Sequence, residues 1–149
     1  MYSHILITTD GSELAQKGVD HGLSLAKKHG SKVTILTVSD PFPPYMFSGE
    51  FGVVTPTTDF EGYRESVKEA ATRILDRVKA DATKMGISAR AVYVEGERPA
   101  EAIVETSEKQ NCNLIVMASH GRGGLGRLFL GSQTIEVLTF SKLPVLVVR

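Results

Sequence analysis

Between Ala118 and Ser132 the chain reads ASHGRGGLGRLFLGS, with glycines at 121, 123, 124, 126 and 131. Glycine gives a core nothing to bury, and this composition suits a backbone that must come close to a ligand or reach positive φ. Gly131–Ser132 then opens an expected short helix, whose unpaired N–H groups favour anions. Together these features read as a phosphate cradle, with Arg122 beside it and His120 placed to reach a phosphate. Each exposed contact between a helix end and an anion contributes about 0.3–1 kcal/mol. Several of them, joined by Arg122 and a buried base, amount to about −8 kcal/mol, which is micromolar binding. The alternative, a flexible glycine-rich surface loop, is less consistent with a stretch that leads directly into a Gly–Ser helix start.

Other chemistry is weaker or excluded. No GxxxxGK[ST] occurs, so there is no P-loop. Gly121-x-Gly123-x-x-Gly126 matches GxGxxG formally, but it follows the fourth expected strand, and no acid lies about 20 residues on to hold a ribose. Asp10 is either the cap of the first helix, a role Ser12 also fills, or a ligand of a bound molecule, and the two roles are compatible. His120 has no visible base or nucleophile partner, and a turn histidine holding its own backbone is an equal reading. His4, His21 and His29 show no metal-ligand spacing, and the lone Cys112 excludes an internal disulfide and reads as core packing. Arg127 reads as a solvated charge.

The elements that must position these residues alternate in type. His4–Thr9 reads as a buried strand ending in Asp10–Gly11–Ser12, and apolar residues at helical spacing from Leu14 to Ala26 follow, closing at His29–Gly30. A second strand spans Val33–Val38. Residues 39 to about 59 hold four prolines and four aromatics, Phe42, Tyr45, Phe47 and Phe51, and read as a long loop that either covers a ligand, meets a partner or caps the core edge. A long helix marked by Val67, Ala71, Ile74, Leu75, Val78 and Ala82 closes near Gly86. Then come a strand at Ala89–Val94, a helix from Pro99 to about Gln110, a strand at Leu114–Ala118, the helix from Ser132 and a last strand, Pro144–Val148.

Strands that are almost continuous apolar runs between helices predict an α/β fold: one domain over residues 1–149, with a parallel sheet covered on both faces. Right-handed crossovers with one reversal give five strands in the order 3-2-1-4-5, and ligands bind where strands 1 and 4 part. The ends of those strands are Asp10 and Ala118 onward, where the glycines lie. The terminal strand falls at a sheet edge with no charge to blunt it, which predicts a homodimer through antiparallel pairing of Pro144–Val148.

The spacing Ala118-x2-Gly121-x9-Gly131–Ser132, the opening strand ending Thr–Thr–Asp10–Gly–Ser and the closing Lys142–Leu143–Pro144–Val145–Leu146–Val147–Val148 resemble the universal stress protein family over the whole chain. The resemblance implies a Rossmann-like sheet of the adenine nucleotide alpha hydrolase kind, with ATP as the cofactor, with or without magnesium. It further implies that Gly121, Gly131 and Ser132 hold phosphates with Gln133 and Thr134 beside them. Thr8 and Asp10 would border the adenosine pocket, and Val38 would meet the base with its backbone. ATP-binding members carry glycine where this chain has Ala118. Alanine costs about 1–2 kcal/mol there if the position must be left-handed and almost nothing if it need only be small. The end of an extended strand favours the second case.

Seventeen basic residues balance seventeen acidic ones, so no overall field gathers nucleic acid or an anionic membrane. No segment approaches the roughly 18 apolar residues of a membrane span, and no leader pattern opens the chain, so a cytoplasmic protein is expected. The leading expectation is a non-enzymatic, dimeric nucleotide sensor in stress responses. Its rivals are an ATP-hydrolysing enzyme on the same scaffold, which would need a base and a metal site the sequence does not display, and a structural dimer without nucleotide. A flavodoxin-like carrier would need a longer phosphate loop after strand 1.

Overall fold

Ile5, Leu6 and Ile7 are all fully buried in the first strand, β1 (His4–Thr8), because both faces of the sheet are covered. The computed structural model describes residues 1–39, 58–121 and 130–149. After β1 come α1 (Glu13–His29), β2 (Lys32–Ser39), α2 (Thr58–Lys84), β3 (Ala89–Glu95), α3 (Pro99–Lys109), β4 (Leu114–Ala118), α4 (Ser132–Phe140) and β5 (Val145–Val148). The sheet has the order β3-β2-β1-β4-β5 and every neighbouring pair is parallel, as expected from the strand pattern.

Alternation along the strands divides the core in two. Ile5, Ile7, Val33, Ile35 and Val116 pack with Val19 and Leu23 of α1 and Leu75 and Val78 of α2. Leu6, Leu36, Ile115 and Met117 pack on the other face with Ile103 of α3 and Val137 of α4. The helix ends follow their local chemistry. The Ser12 hydroxyl accepts from the Ala15 N–H at 3.2 Å, and Gly30, left-handed at φ 65°, donates its N–H to the Ala26 carbonyl. Ser12, not Asp10, therefore caps α1.

Boundaries moved slightly. β1 stops at Thr8, although the Thr9 N–H still donates to the Leu36 carbonyl at 2.9 Å. β2 begins one residue earlier and ends one later than expected, and α2 starts at Thr58, inside the stretch read as loop. Pro144 lies outside β5 because it has no N–H to give the ladder, yet its carbonyl accepts from the Ile115 N–H at 3.0 Å. The aromatics Phe42, Tyr45, Phe47 and Phe51, together with Gly123, Gly124, Gly126, Arg122 and Arg127, lie outside the described residues.

Candidate functional site

A crevice of about 930 Å³ opens at the carboxyl ends of the strands, in the size range of small-molecule sites. Thr8, Asp10, Val38, Ala118, His120, Gly121, Gly131, Ser132, Gln133 and Thr134 all line it. Ten of the eleven residues singled out from the sequence are thus brought together from four segments of chain. The eleventh, Arg122, lies outside the described residues.

The β1–α1 turn is fixed by its own polar groups. Asp10 Oδ1 accepts from the Ser12 N–H at 2.9 Å, Thr9 Oγ1 accepts from the N–H of left-handed Gly11 at 3.2 Å, and the Thr37 hydroxyl donates to the Thr9 carbonyl at 2.9 Å. Asp10 thereby presents its second oxygen to the opposite wall. A Cβ placed on Gly121 would stand 2.9 Å from Asp10 Oδ2, so no larger residue fits there unless Asp10 moves.

The second glycine is needed for a similar reason. A Cβ on Gly131 would lie 3.2 Å from both Cα and Cβ of His120. The expectation that these glycines supply positive φ is corrected: Gly131 has φ −64°, and the left-handed glycines among the described residues are Gly11, Gly30, Gly86 and Gly96. Space, not backbone freedom, is what Gly121 and Gly131 provide. Ala118 likewise has no positive φ; it lies in the β4–β5 ladder opposite Val148, so alanine carries no backbone strain there.

The amides at this end are partly committed. The Gly131 N–H donates to the Ser119 carbonyl at 2.8 Å, and the N–H groups of the first turn of a helix such as α4 have no partner within the helix itself. Thr134, 1% exposed, donates its hydroxyl to the Ser119 and Ala118 carbonyls at 3.0 and 3.2 Å, bracing α4 against the end of β4. The Gln133 side-chain oxygen accepts from the Ala100 N–H at 2.9 Å and ties α4 to α3. His120 Nδ1 lies 3.2 Å from Ser119 Oγ, a partner that sequence reading missed although the two are adjacent. Ser119 is 3% exposed, which suits a brace better than a nucleophile.

The far wall of the crevice was not foreseen. Phe60, Tyr63 and Arg64 of α2 and Glu95–Gly96 at the end of β3 also line it. Arg64 and Glu95 form an ion pair that raises the guanidinium and lowers the carboxyl from their ordinary values, through the hydrogen bonds between them first. No local motif marks these residues; only the sheet order makes them neighbours of the site. Among the described residues no group of three or more His, Cys, Asp or Glu could hold a metal. Cys112 lies beyond the opposite end of β4, buried, with its thiol pushed up to about 11 by that burial.

The family model described as the universal stress protein family matches residues 1–149. The chain belongs to the universal stress protein family. Universal stress protein YxiE of Bacillus subtilis is 32% identical over 149 residues, covering 100% of both chains. The solved structure of MJ0577, from Methanocaldococcus jannaschii, superposes with a TM-score of 0.80 at 30% identity, covering 99% of this chain and 96% of that one. A universal stress protein solved in complex with cAMP has a TM-score of 0.67 at 25% identity, with 99% and 97% covered. This universal stress protein shares its fold with MJ0577 and places its loops on a five-stranded sheet of order β3-β2-β1-β4-β5. No helix among the described residues is long and apolar enough to cross a membrane.

Proposed function

We propose that this chain is a single-domain, cytoplasmic stress protein that binds ATP or a related adenine nucleotide in the crevice and does not turn it over. The phosphates lie toward Gly121 and Gly131–Ser132, and the adenosine lies between Asp10, Thr8 and the backbone of Val38. The observation that carries this reading is the convergence of those residues on one crevice whose walls meet at two glycines, where a Cβ would clash with Asp10 at Gly121 and press on His120 at Gly131. The cAMP-bound relative supports an adenine nucleotide as the ligand class. Thr8, Asp10, Val38, His120 and Ser132 fit a nucleotide with polar groups at both ends of the crevice, and magnesium, where bound, would be held mainly by the nucleotide's own phosphates.

Calorimetric titration with ATP, ADP and AMP in magnesium, followed by a phosphate-release assay, tests the reading. Micromolar ATP binding without phosphate release is expected; release would make the chain an enzyme, and no heat with any nucleotide would overturn the site. Gly131→Val should abolish binding with the fold intact, because φ −64° and ψ 152° suit valine while its Cβ presses on His120.

The protein is further proposed to be a homodimer through antiparallel pairing of β5 with its copy. β5 is an edge strand, and Leu146 on it is exposed, as are Ile135 and Leu138 on α4. Light scattering during size exclusion should give twice the chain mass at micromolar concentration, and a monomer would refute the pairing.

A further inference from the structure

Four of the five ion pairs among the described residues join positions three or four apart: Arg73–Glu69, Lys84–Asp81, Arg98–Glu101 and Lys109–Glu105. The fifth, Arg64–Glu95, joins α2 to β3 across 31 positions and does so with two prongs, Nε to Oε1 at 2.6 Å and Nη2 to Oε2 at 3.0 Å. The guanidinium carbon also stands 6.0 Å from the centre of the Phe60 ring, one turn earlier on the same helix.

Each partner is held for the meeting in its own way. The corner after Glu95 turns through left-handed Gly96, whose N–H donates to the Ser39 carbonyl at 3.1 Å, while the Tyr93 hydroxyl donates to Ser39 Oγ at 3.0 Å. Glu95 stands in register with Ser39, the residue after Val38, and so beside the proposed base position. Arg64 belongs to the part of α2 that does not rest on the sheet. Burial on this helix begins at Ala71 and continues through Leu75, Val78 and Ala82, whereas Phe60, Tyr63, Arg64 and Val67 stay partly or fully exposed and form the outer wall of the crevice.

We infer that Arg64–Glu95 is a clasp that holds the first turns of α2 against the end of β3 and thereby sets how fast a bound nucleotide leaves. The inference rests on the nucleotide-binding reading above and adds to it a pair of positioning residues. A half-exposed pair of this kind is weak enough to open at ordinary temperatures, and its two prongs and the ring beneath it bias it toward closed. Opening the clasp removes the ion pair that ties the outer wall to β3 and disturbs no buried side chain of α2, because nothing buried on α2 precedes Ala71 among the described side chains.

The test is a double-mutant cycle on the full chain with Arg64→Ala, Glu95→Ala and both together. Release of a fluorescent ATP analogue, chased with unlabelled ATP, is followed by stopped flow, with hydrogen exchange of residues 60–67 as the second readout. Each single variant should release ligand about two- to fivefold faster than the unaltered chain, with association and melting temperature little changed. The double variant should be no faster than either single one, and exchange at 60–67 should quicken in all three. Binding with unchanged release in all three variants overturns the inference alone, as would multiplicative effects, which would mean that the two residues contact the ligand independently. No binding by the unaltered chain overturns the functional reading and this inference together.

Discussion

Asp10 carries two demands on one carboxylate: Oδ1 accepts from the Ser12 N–H at 2.9 Å, and Oδ2 faces the bare Cα of Gly121 across the crevice. Asparagine at position 10 would keep an oxygen for Ser12 and lose the charge, which separates the turn from the ligand. Asp10→Asn should therefore change stability by less than about 0.5 kcal/mol, whereas nucleotide affinity should fall about tenfold, the cost of a charge-assisted hydrogen bond to the ligand. Thermal melts and calorimetric titration read the two effects, and unchanged affinity would leave Asp10 with the turn alone. At this scale the sequence displayed which residues matter but not why. The glycine spacing and Asp10–Gly11–Ser12 are contiguous motifs, and contiguous motifs can be read. That Gly121 is small because Asp10 stands opposite, while Gly131 is small because His120 does, depends on two loops meeting in space, and nothing in either loop announces the other.

Among the elements, α1 shows how an apolar spacing understates a packing constraint. Of the apolar residues at helical spacing, Ala15, Val19, Leu23 and Ala26 are buried while Leu14 is only partly so, and the structure adds Gly18 and Gly22 to the buried residues. A Cβ on Gly22 would stand 2.5 Å from Ile7 Cδ1 and 2.8 Å from Cγ1, and Ile7 is fully buried, with no free space to turn into. Overpacking of this kind costs about 1–3 kcal/mol, against a gain of up to about 1 kcal/mol from the better helix propensity of alanine. Gly22→Ala should thus lower the free energy of unfolding by about 1–2 kcal/mol in urea denaturation. Gly62 on α2 has nothing within 4 Å of its would-be Cβ, and Gly62→Ala should have the opposite sign, raising stability by up to about 1 kcal/mol. Equal effects at the two glycines would refute the packing argument. Helical spacing predicted both helices, but it could not tell a glycine that lets α1 close onto β1 from one that merely faces solvent.

For the molecule as a whole, the order β3-β2-β1-β4-β5 was legible because strands 1, 2 and 4 are apolar runs with no polar face, which only a sheet covered on both sides can bury. The same closure places a titratable group at the opposite end of the sheet from the crevice. His4 begins β1 opposite Lys32 of β2, with Nε2 2.9 Å from the hydroxyl of Thr34, which is fully buried and also meets the Cys112 thiol. Burial lowers the His4 pKa first, and the charges of Lys32 and Arg90 lower it further, against an opposing hydrogen bond from the ring to the Gln110 backbone carbonyl. The folded chain therefore accepts this proton less readily than the unfolded chain does. Above the ordinary histidine value of 6.5 both states are neutral at this site and stability is undiminished. As the pH falls from there toward the lowered folded value, the unfolded state is protonated first and stability declines, levelling off once both states are charged. The melting temperature should fall through that window, and His4→Gln, which keeps a polar partner for Thr34 without a titrating ring, should flatten the decline. An equally steep decline in the variant would move its origin away from His4 and the charges of Lys32 and Arg90.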